Sequence, residues 1–197
     1  MLGLQQTLQI VSGLLVAAGV VVIVWGRLSD AARAVNAAVL GVAIVLVAWS
    51  PPWDRELLAS GVYLYAPYVA KDLDLEALLK AGNLLYYREG AAATVSVKRL
   101  TGTVSLAIDG KVDASNRSDM LTQKLIAHLP LLLHDGPRQV CIVGLGSGVT
   151  LASALRHPVE RVDVVELSPE VVEASRQFAA ENHDALKDPR EIGRAHV

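Results

Sequence analysis

Gly144, Gly146, Ser147, Gly148 and Glu166 are the residues whose types and spacing best fit chemistry. The run Gly144-Leu145-Gly146-Ser147-Gly148 follows the apolar stretch Val140-Cys141-Ile142-Val143, and Glu166 closes a second stretch, Val162-Asp163-Val164-Val165. Glycines after a strand permit a sharp turn and let the backbone approach a ligand where side chains would clash. A helix from about Ser147 would aim its free amide groups at the same place. A carboxylate about 20 residues past such a turn, ending the next strand, accepts hydrogen bonds from both ribose hydroxyls. The spacing is not the G-x-G-x-x-G of most dinucleotide binders. Turn and carboxylate together still point to an adenosine-containing cofactor. The competing reading is an α/β core whose turn is merely glycine-rich and whose Glu166 is a solvated strand end.

The other polar residues say less. Asp109, Asp113 and Asp119 precede the turn, and carboxylates beside a cofactor could hold a cationic substrate. Asp109-Gly110 equally fits simple turn chemistry. His128, His134, His157 and His183 lack metal-ligand spacing and read as surface or supporting groups, so no metal is expected. The single cysteine, Cys141, rules out a disulfide framework and a cysteine-rich metal site. Inside an apolar strand it reads as a buried, reduced thiol. A net charge of -2 without a basic run argues against a nucleic-acid partner.

These residues need elements to position them. Leu84–Gly90, Thr94–Leu100 and Thr103–Ile108 alternate in polarity, with Thr101-Gly102 and Asp109-Gly110 as turns, and predict an antiparallel meander. Residues 118–133 predict a helix capped by Asn116 or Ser118, with Met120, Leu121, Leu125 and Leu129 at helical spacing and Pro130 bending it late. Pro169 to about His183 predicts another helix, N-capped by Ser168, whose inner face is Val171, Val172, Ser175 and Phe178 or Ala179.

The chain is 52% hydrophobic, high enough that a membrane segment must be sought. Leu8–Trp25 and Ala34–Trp49 are free of charge, and each approaches the ~20 residues of a spanning helix. Trp25, Trp49 and Trp53 fall at segment ends, where indole rings favour the headgroup zone. No Lys or Arg precedes Leu8, unlike a signal peptide. Its absence also suggests that further membrane helices once preceded Met1. Arg27 and Arg33 in the connecting loop would place that loop in the cytoplasm. The nucleotide-type cofactor argues more strongly for a cytoplasmic C-terminal part. Pro51-Pro52 ends the membrane part, and residues 54–80 form a connector or lid. Its tyrosines, Tyr63, Tyr65 and Tyr68, are interface anchors or ligand contacts, and Leu73–Leu79 looks helical.

Residues from about Leu84 to Arg190 resemble the polyamine aminopropyltransferase (spermidine synthase) family. The resemblance rests on Leu106-Ala107-Ile108-Asp109-Gly110, Asp119 to Leu125, His128-Leu129-Pro130, Gly144 to Gly148, His157-Pro158-Val159-Glu160 and Val165 to Val172. With the apolar hairpin, the chain is similar to bacterial membrane proteins that fuse transporter-like helices to such a domain. The resemblance implies an α/β fold: the first half of a methyltransferase-like Rossmann domain, preceded by a small antiparallel β-sheet and a transmembrane helical hairpin. It implies transfer of an aminopropyl group from decarboxylated S-adenosylmethionine to a small amine such as putrescine. Gly144, Gly146, Ser147, Gly148 and Glu166 would then line the cofactor, with Gln123 beside it and Asp109, Asp113 and Asp119 on the substrate side.

Departures from the family pattern are specific. Ser147 replaces an aspartate that grips the cofactor's amine, Asp113 replaces a glutamine and Thr122 a tyrosine. The loop with the family's catalytic aspartate is expected beyond Arg190, leaving this chain inactive alone. Ser147 keeps open a methyltransferase using S-adenosylmethionine, and a non-enzymatic sensor or transporter-linked domain is a third reading. The expected organisation is two transmembrane helices (1–50), a connector (51–83), the small sheet (84–115) and the incomplete cofactor domain (116–190). Residues 191–197 resemble a translated sequencing-library adapter and are set outside the fold. The expected location is the bacterial inner membrane, in contact with lipid and with the C-terminal part cytoplasmic; homo-oligomerisation is left open.

Overall fold

Apolar composition alone shapes the first of two compact units, residues 1–53 and 54–197. In the computed structural model, residues 3–68 and 74–195 are described. The helices α1 (Leu4–Trp25) and α2 (Asp30–Ala48) bury none of their residues. Both are long and apolar enough to cross a membrane, with mean hydropathy 2.4 and 2.1. At about 1.5 Å per residue each is roughly 30 Å long, the thickness of a hydrocarbon core. Ser29 caps α2 by accepting from the Ala32 amide at 3.3 Å. At the Pro51-Pro52 exit, where the ring nitrogens cannot donate, glutamines satisfy the backbone. Gln5 donates to the Pro51 carbonyl at 2.8 Å and accepts from the Trp53 amide at 3.0 Å. Gln9 donates to the Ser50 hydroxyl at 3.0 Å.

The second unit opens with three short helices, α3 (Arg55–Leu58), α4 (Val62–Tyr65) and α5 (Leu75–Lys80). Asp54 and Asp74 cap α3 and α5 by accepting from the amides two and three residues on. The expected helix at Leu73–Leu79 thus appears as α5; Leu73 itself lies outside the described residues. The meander follows as β1 (Asn83–Glu89), β2 (Thr94–Leu100), β3 (Thr103–Ile108) and β4 (Lys111–Ser115), antiparallel and in consecutive order. Both two-residue turns, Thr101-Gly102 and Asp109-Gly110, have positive φ at both positions, the twist that suits tight hairpins. β4 was not foreseen as a strand.

The helix α6 (Met120–Leu133) leads into a βαβαβ arrangement: β5 (Gln139–Val143), α7 (Val149–Ala154), β6 (Arg161–Val165), α8 (Pro169–Ala174), α9 (Ala179–Asn182) and β7 (Glu191–Ala195). These strands are parallel in the order β5-β6-β7. Val95, Val97 and Leu106 from the meander join Leu151, Val162, Val171 and Phe178 in one core, so the two sheets stand on a common apolar layer. Across it, the Tyr86 hydroxyl donates to the Glu173 carboxylate at 3.1 Å, and Arg88 pairs with the same carboxylate.

Several expectations are corrected. Cys141 is exposed, because along β5 it shares with Gln139 and Val143 the uncovered face of the sheet, while Val140 and Ile142 on the other face are half-buried. Residues 169–183 do not form one helix: a 3-10 turn at Ser175–Phe178 separates α8 from α9. Val171, Val172, Ser175 and Phe178 are buried as expected, whereas Ala179 is exposed. Ser168 does hold the N-cap position of α8, with Pro169 following as expected, but it makes no side-chain cap bond; its hydroxyl donates to Glu170 at 2.7 Å. Neither Asn116 nor Ser118 occupies the cap of α6, which is Asp119, and Leu121 and Leu129 face outward. Residues 191–195, set outside the fold on sequence grounds, pair in parallel with β6 from Val162–Glu191 to Val165–Ala195.

Candidate functional site

Two parallel strands end side by side at the site, with Val143 opposite Val165. The next residues are Gly144 and Glu166, and the Gly144 amide donates to the Val165 carbonyl at 2.8 Å. This is the carboxyl end of a parallel sheet, the edge at which α/β folds bind ligands. The chain then turns through Gly144, Gly146 and Gly148 with φ of +85°, +55° and +82°. The space beside these glycines differs. A Cβ on Gly148 would sit 3.0 Å from the Asn182 side-chain nitrogen, whereas one on Gly144 would meet nothing within 4 Å. The helix α7 begins at Val149, close to the start expected at about Ser147.

Glu166 is 9% exposed and faces this turn. One carboxylate oxygen accepts from the Leu145 amide at 2.8 Å, the other from the Ser168 amide at 2.9 Å. An ionised carboxylate offers about four acceptor positions, so roughly two stay open after these bonds. The charge is thus held by two backbone dipoles and still able to receive hydroxyl groups. Asn182, buried at 4% exposure, donates to the Ser147 carbonyl at 2.8 Å and to the Ser175 carbonyl at 2.9 Å, bracing the turn from behind.

Gln123 and Ser147 are in contact, but with each other. Ser147 is buried, and its hydroxyl donates to the Gln123 side-chain carbonyl. The Gln123 amide nitrogen donates to the Ser115 carbonyl at 2.8 Å and to Asp119 at 2.7 Å. Asp119 also receives the Ser115 amide, at 2.9 and 3.0 Å to its two oxygens, and the Ser115 hydroxyl. Asp119 is therefore spent on the protein. Asp109 is an exposed turn residue at φ +49° whose carboxylate accepts from the Thr94 amide at 2.8 Å, the turn chemistry weighed above. Asp113 is exposed and pairs with Lys111 at 3.3 Å.

Sequence reasoning missed two contacts. Asn182 lies 35 residues from Ser147, with no local signal marking the pairing. His128 Nδ1 and His157 Nε2 stand 2.8 Å apart, with ring centroids 5.1 Å apart. Those distances fit nitrogens meeting nearly head-on in one hydrogen bond. Among the described residues no group of three metal-ligating side chains is found. A groove of about 730 Å³ runs between α6 and β5 from Ile126 to Val143 and does not include Glu166 or the glycines of the turn. Val143, 85% exposed, and Leu167, 59% exposed, flank the turn.

The comparisons with known proteins bear on this same region. Residues 119–192 match the sequence model of the spermine/spermidine synthase domain family. The chain is similar to a polyamine aminopropyltransferase of Archaeoglobus fulgidus, at 31% identity over 112 residues, covering 57% of this chain and 42% of the relative. A spermidine synthase of Coffea arabica is 31% identical over 157 residues, covering 77% of this chain and 44% of the relative. Among solved structures, spermidine synthase from Thermotoga maritima matches with a TM-score of 0.54 at 26% identity, covering 58% of this chain and 41% of that one. A spermidine synthase in complex with the transition-state analogue AdoDATO matches equally well, at TM-score 0.54 and 26% identity, with 58% and 39% covered. The α/β fold is similar to that of spermidine synthases, and the chain spans less than half the length of these relatives.

Proposed function

We propose that this chain carries the cofactor-side half of a spermidine-synthase-like aminopropyltransferase, with the glycine turn and Glu166 receiving the adenosyl group of decarboxylated S-adenosylmethionine. The observation that carries the reading is the buried Glu166 carboxylate clasping the turn at the ends of two parallel strands, with acceptor positions to spare. In the reaction the neutral nitrogen of an amine such as putrescine attacks the carbon beside the sulfonium. A carbon–nitrogen bond forms, the carbon–sulfur bond breaks, its electron pair stays on sulfur as a thioether, and the amine loses a proton to a base. Catalysis then needs alignment and a proton acceptor. Asp119 is engaged by Ser115 and Gln123, and Asp113 by Lys111. Neither carboxylate is therefore assigned as the proton acceptor.

The hairpin of α1 and α2 is proposed to anchor the chain in a bacterial cytoplasmic membrane, with residues 54–197 on the cytoplasmic side. A methyltransferase using S-adenosylmethionine is a second reading, favoured by one observation: the Ser147 hydroxyl is neutral and turned to Gln123, leaving no acid in the turn for a cofactor amine. Calorimetric titration of the purified chain with S-adenosylmethionine and its decarboxylated form tests both. Binding of the decarboxylated form, weakened about tenfold or more by Glu166→Ala, is expected from the loss of charge-assisted hydrogen bonds. Unchanged affinity in that variant would remove the ribose assignment. Strong preference for S-adenosylmethionine would favour methyl transfer.

A further inference from the structure

The side chain of Gln123 is almost fully used by the protein. Its nitrogen donates both protons, to the Ser115 carbonyl at 2.8 Å and the Asp119 carboxylate at 2.7 Å, and its oxygen accepts the Ser147 hydroxyl. Its backbone carbonyl accepts the Thr150 hydroxyl at 2.9 Å. The surroundings fix which end of the amide is which: reversing it would set oxygen against a carbonyl and a carboxylate. Ser147 in turn accepts from the Val149 amide at 3.3 Å. An unbroken path of hydrogen bonds thus runs from Ser115, the last residue of β4, through Asp119 and Gln123 on the start of α6, to Ser147 inside the turn.

We infer that Gln123 is a positioning residue, which locks the glycine turn to the end of the antiparallel sheet, rather than a group that touches the ligand. Only a primary amide suits the position. It must donate twice and accept once, which neither a carboxylate nor a hydroxyl can do. The lock ties a turn of three left-handed glycines to the end of the antiparallel sheet. Its role in binding rests on the proposed function above; its role in holding the turn does not.

The test uses the full chain with two readouts: amide hydrogen exchange at Gly146–Val149, and titration with 5′-methylthioadenosine as the probe. Gln123→Glu places a carboxylate against Asp119 and the Ser115 carbonyl. Exchange at the turn should rise, and affinity should fall about tenfold near pH 8, the scale of one unsatisfied buried polar group. Adding Asp119→Asn reverses the polarity of the bond between positions 119 and 123, because the new amide donates to the new carboxylate. Both readouts should recover in part, as expected when one contact of a coupled network is restored while the Ser115 carbonyl still faces the carboxylate. Recovery of slow exchange without recovery of affinity would show that Gln123 meets the ligand directly and overturn the inference. So would exchange at the turn that Gln123→Glu leaves unchanged. If the parent does not bind the probe, the cofactor reading fails and the exchange measurement alone decides the lock. Should Gln123→Glu fail to fold, Ser147→Ala removes the last link while sparing Asp119, and the same rise in exchange is expected; no rise rejects the lock.

Discussion

At the scale of the residue, the glycines of the turn are not equivalent, and the difference separates stability from binding. A side chain on Gly148 would be strained at φ +82° and pressed against Asn182, whose nitrogen braces Ser147 and Ser175. Gly148→Ala should cost about 2–3 kcal/mol, left-handed strain plus a disturbed buried hydrogen bond. Gly144 is equally left-handed at φ +85°, but its missing side chain faces open space at the strand ends. Gly144→Ala should cost about 1–2 kcal/mol in stability from backbone strain alone. It should weaken nucleoside binding more than Gly148→Ala does, because the added methyl stands where a ligand would approach. Thermal melts with titrations of both variants check this; equal losses of affinity would mean that the open side of Gly144 is not the binding side.

At the scale of the element, some features were legible in the sequence because their causes are local. Alternating polarity with Thr101-Gly102 and Asp109-Gly110 marked the meander, and strand, glycine turn and strand-end carboxylate marked the parallel pair. The exposure of Cys141 was not legible because an all-apolar strand does not show which of its two faces is left uncovered. That Ser115 and Ser147 engage the Gln123 side chain was not legible, because no short-range pattern reveals contacts 8 and 24 residues apart. The contact between the two sheets was likewise hidden, and it yields a pH prediction. Burial first, and then the hydrogen bond to Glu173, push the Tyr86 hydroxyl up to about 12 from an ordinary 10. A group raised in the folded state stabilises fully below its unfolded value and loses that contribution as pH rises through the folded one. The melting-temperature gap between the parent and Tyr86→Phe should therefore be constant to about pH 9–10 and shrink toward pH 12. A gap that does not move with pH would mean that the hydroxyl adds nothing to joining β1 and α8.

At the scale of the whole molecule, the two units obey opposite solvent rules. In residues 54–197, Val95, Val97, Leu106 and Phe178 are fully enclosed. In residues 1–53, Leu14, Leu15, Val35, Val39 and Leu46 are among many large apolar side chains left more than 60% exposed. At about 25 cal/mol per Å² of apolar surface, two such helices in water would cost tens of kcal/mol that lipid removes. The full chain should therefore stay with phospholipid vesicles through an alkaline carbonate wash, while residues 54–197 alone should remain in the aqueous phase. The chain's only cysteine then serves as a reporter of sidedness, since Cys141 is exposed and lies in the second unit. With residues 54–197 in the cytoplasm, a membrane-impermeant maleimide should leave Cys141 unlabelled in intact spheroplasts and modify it after permeabilisation. Labelling of intact spheroplasts would place the nucleotide-type site outside, as the arginines of the connecting loop suggest, and would sink the cytoplasmic assignment together with its supply of adenosyl cofactor.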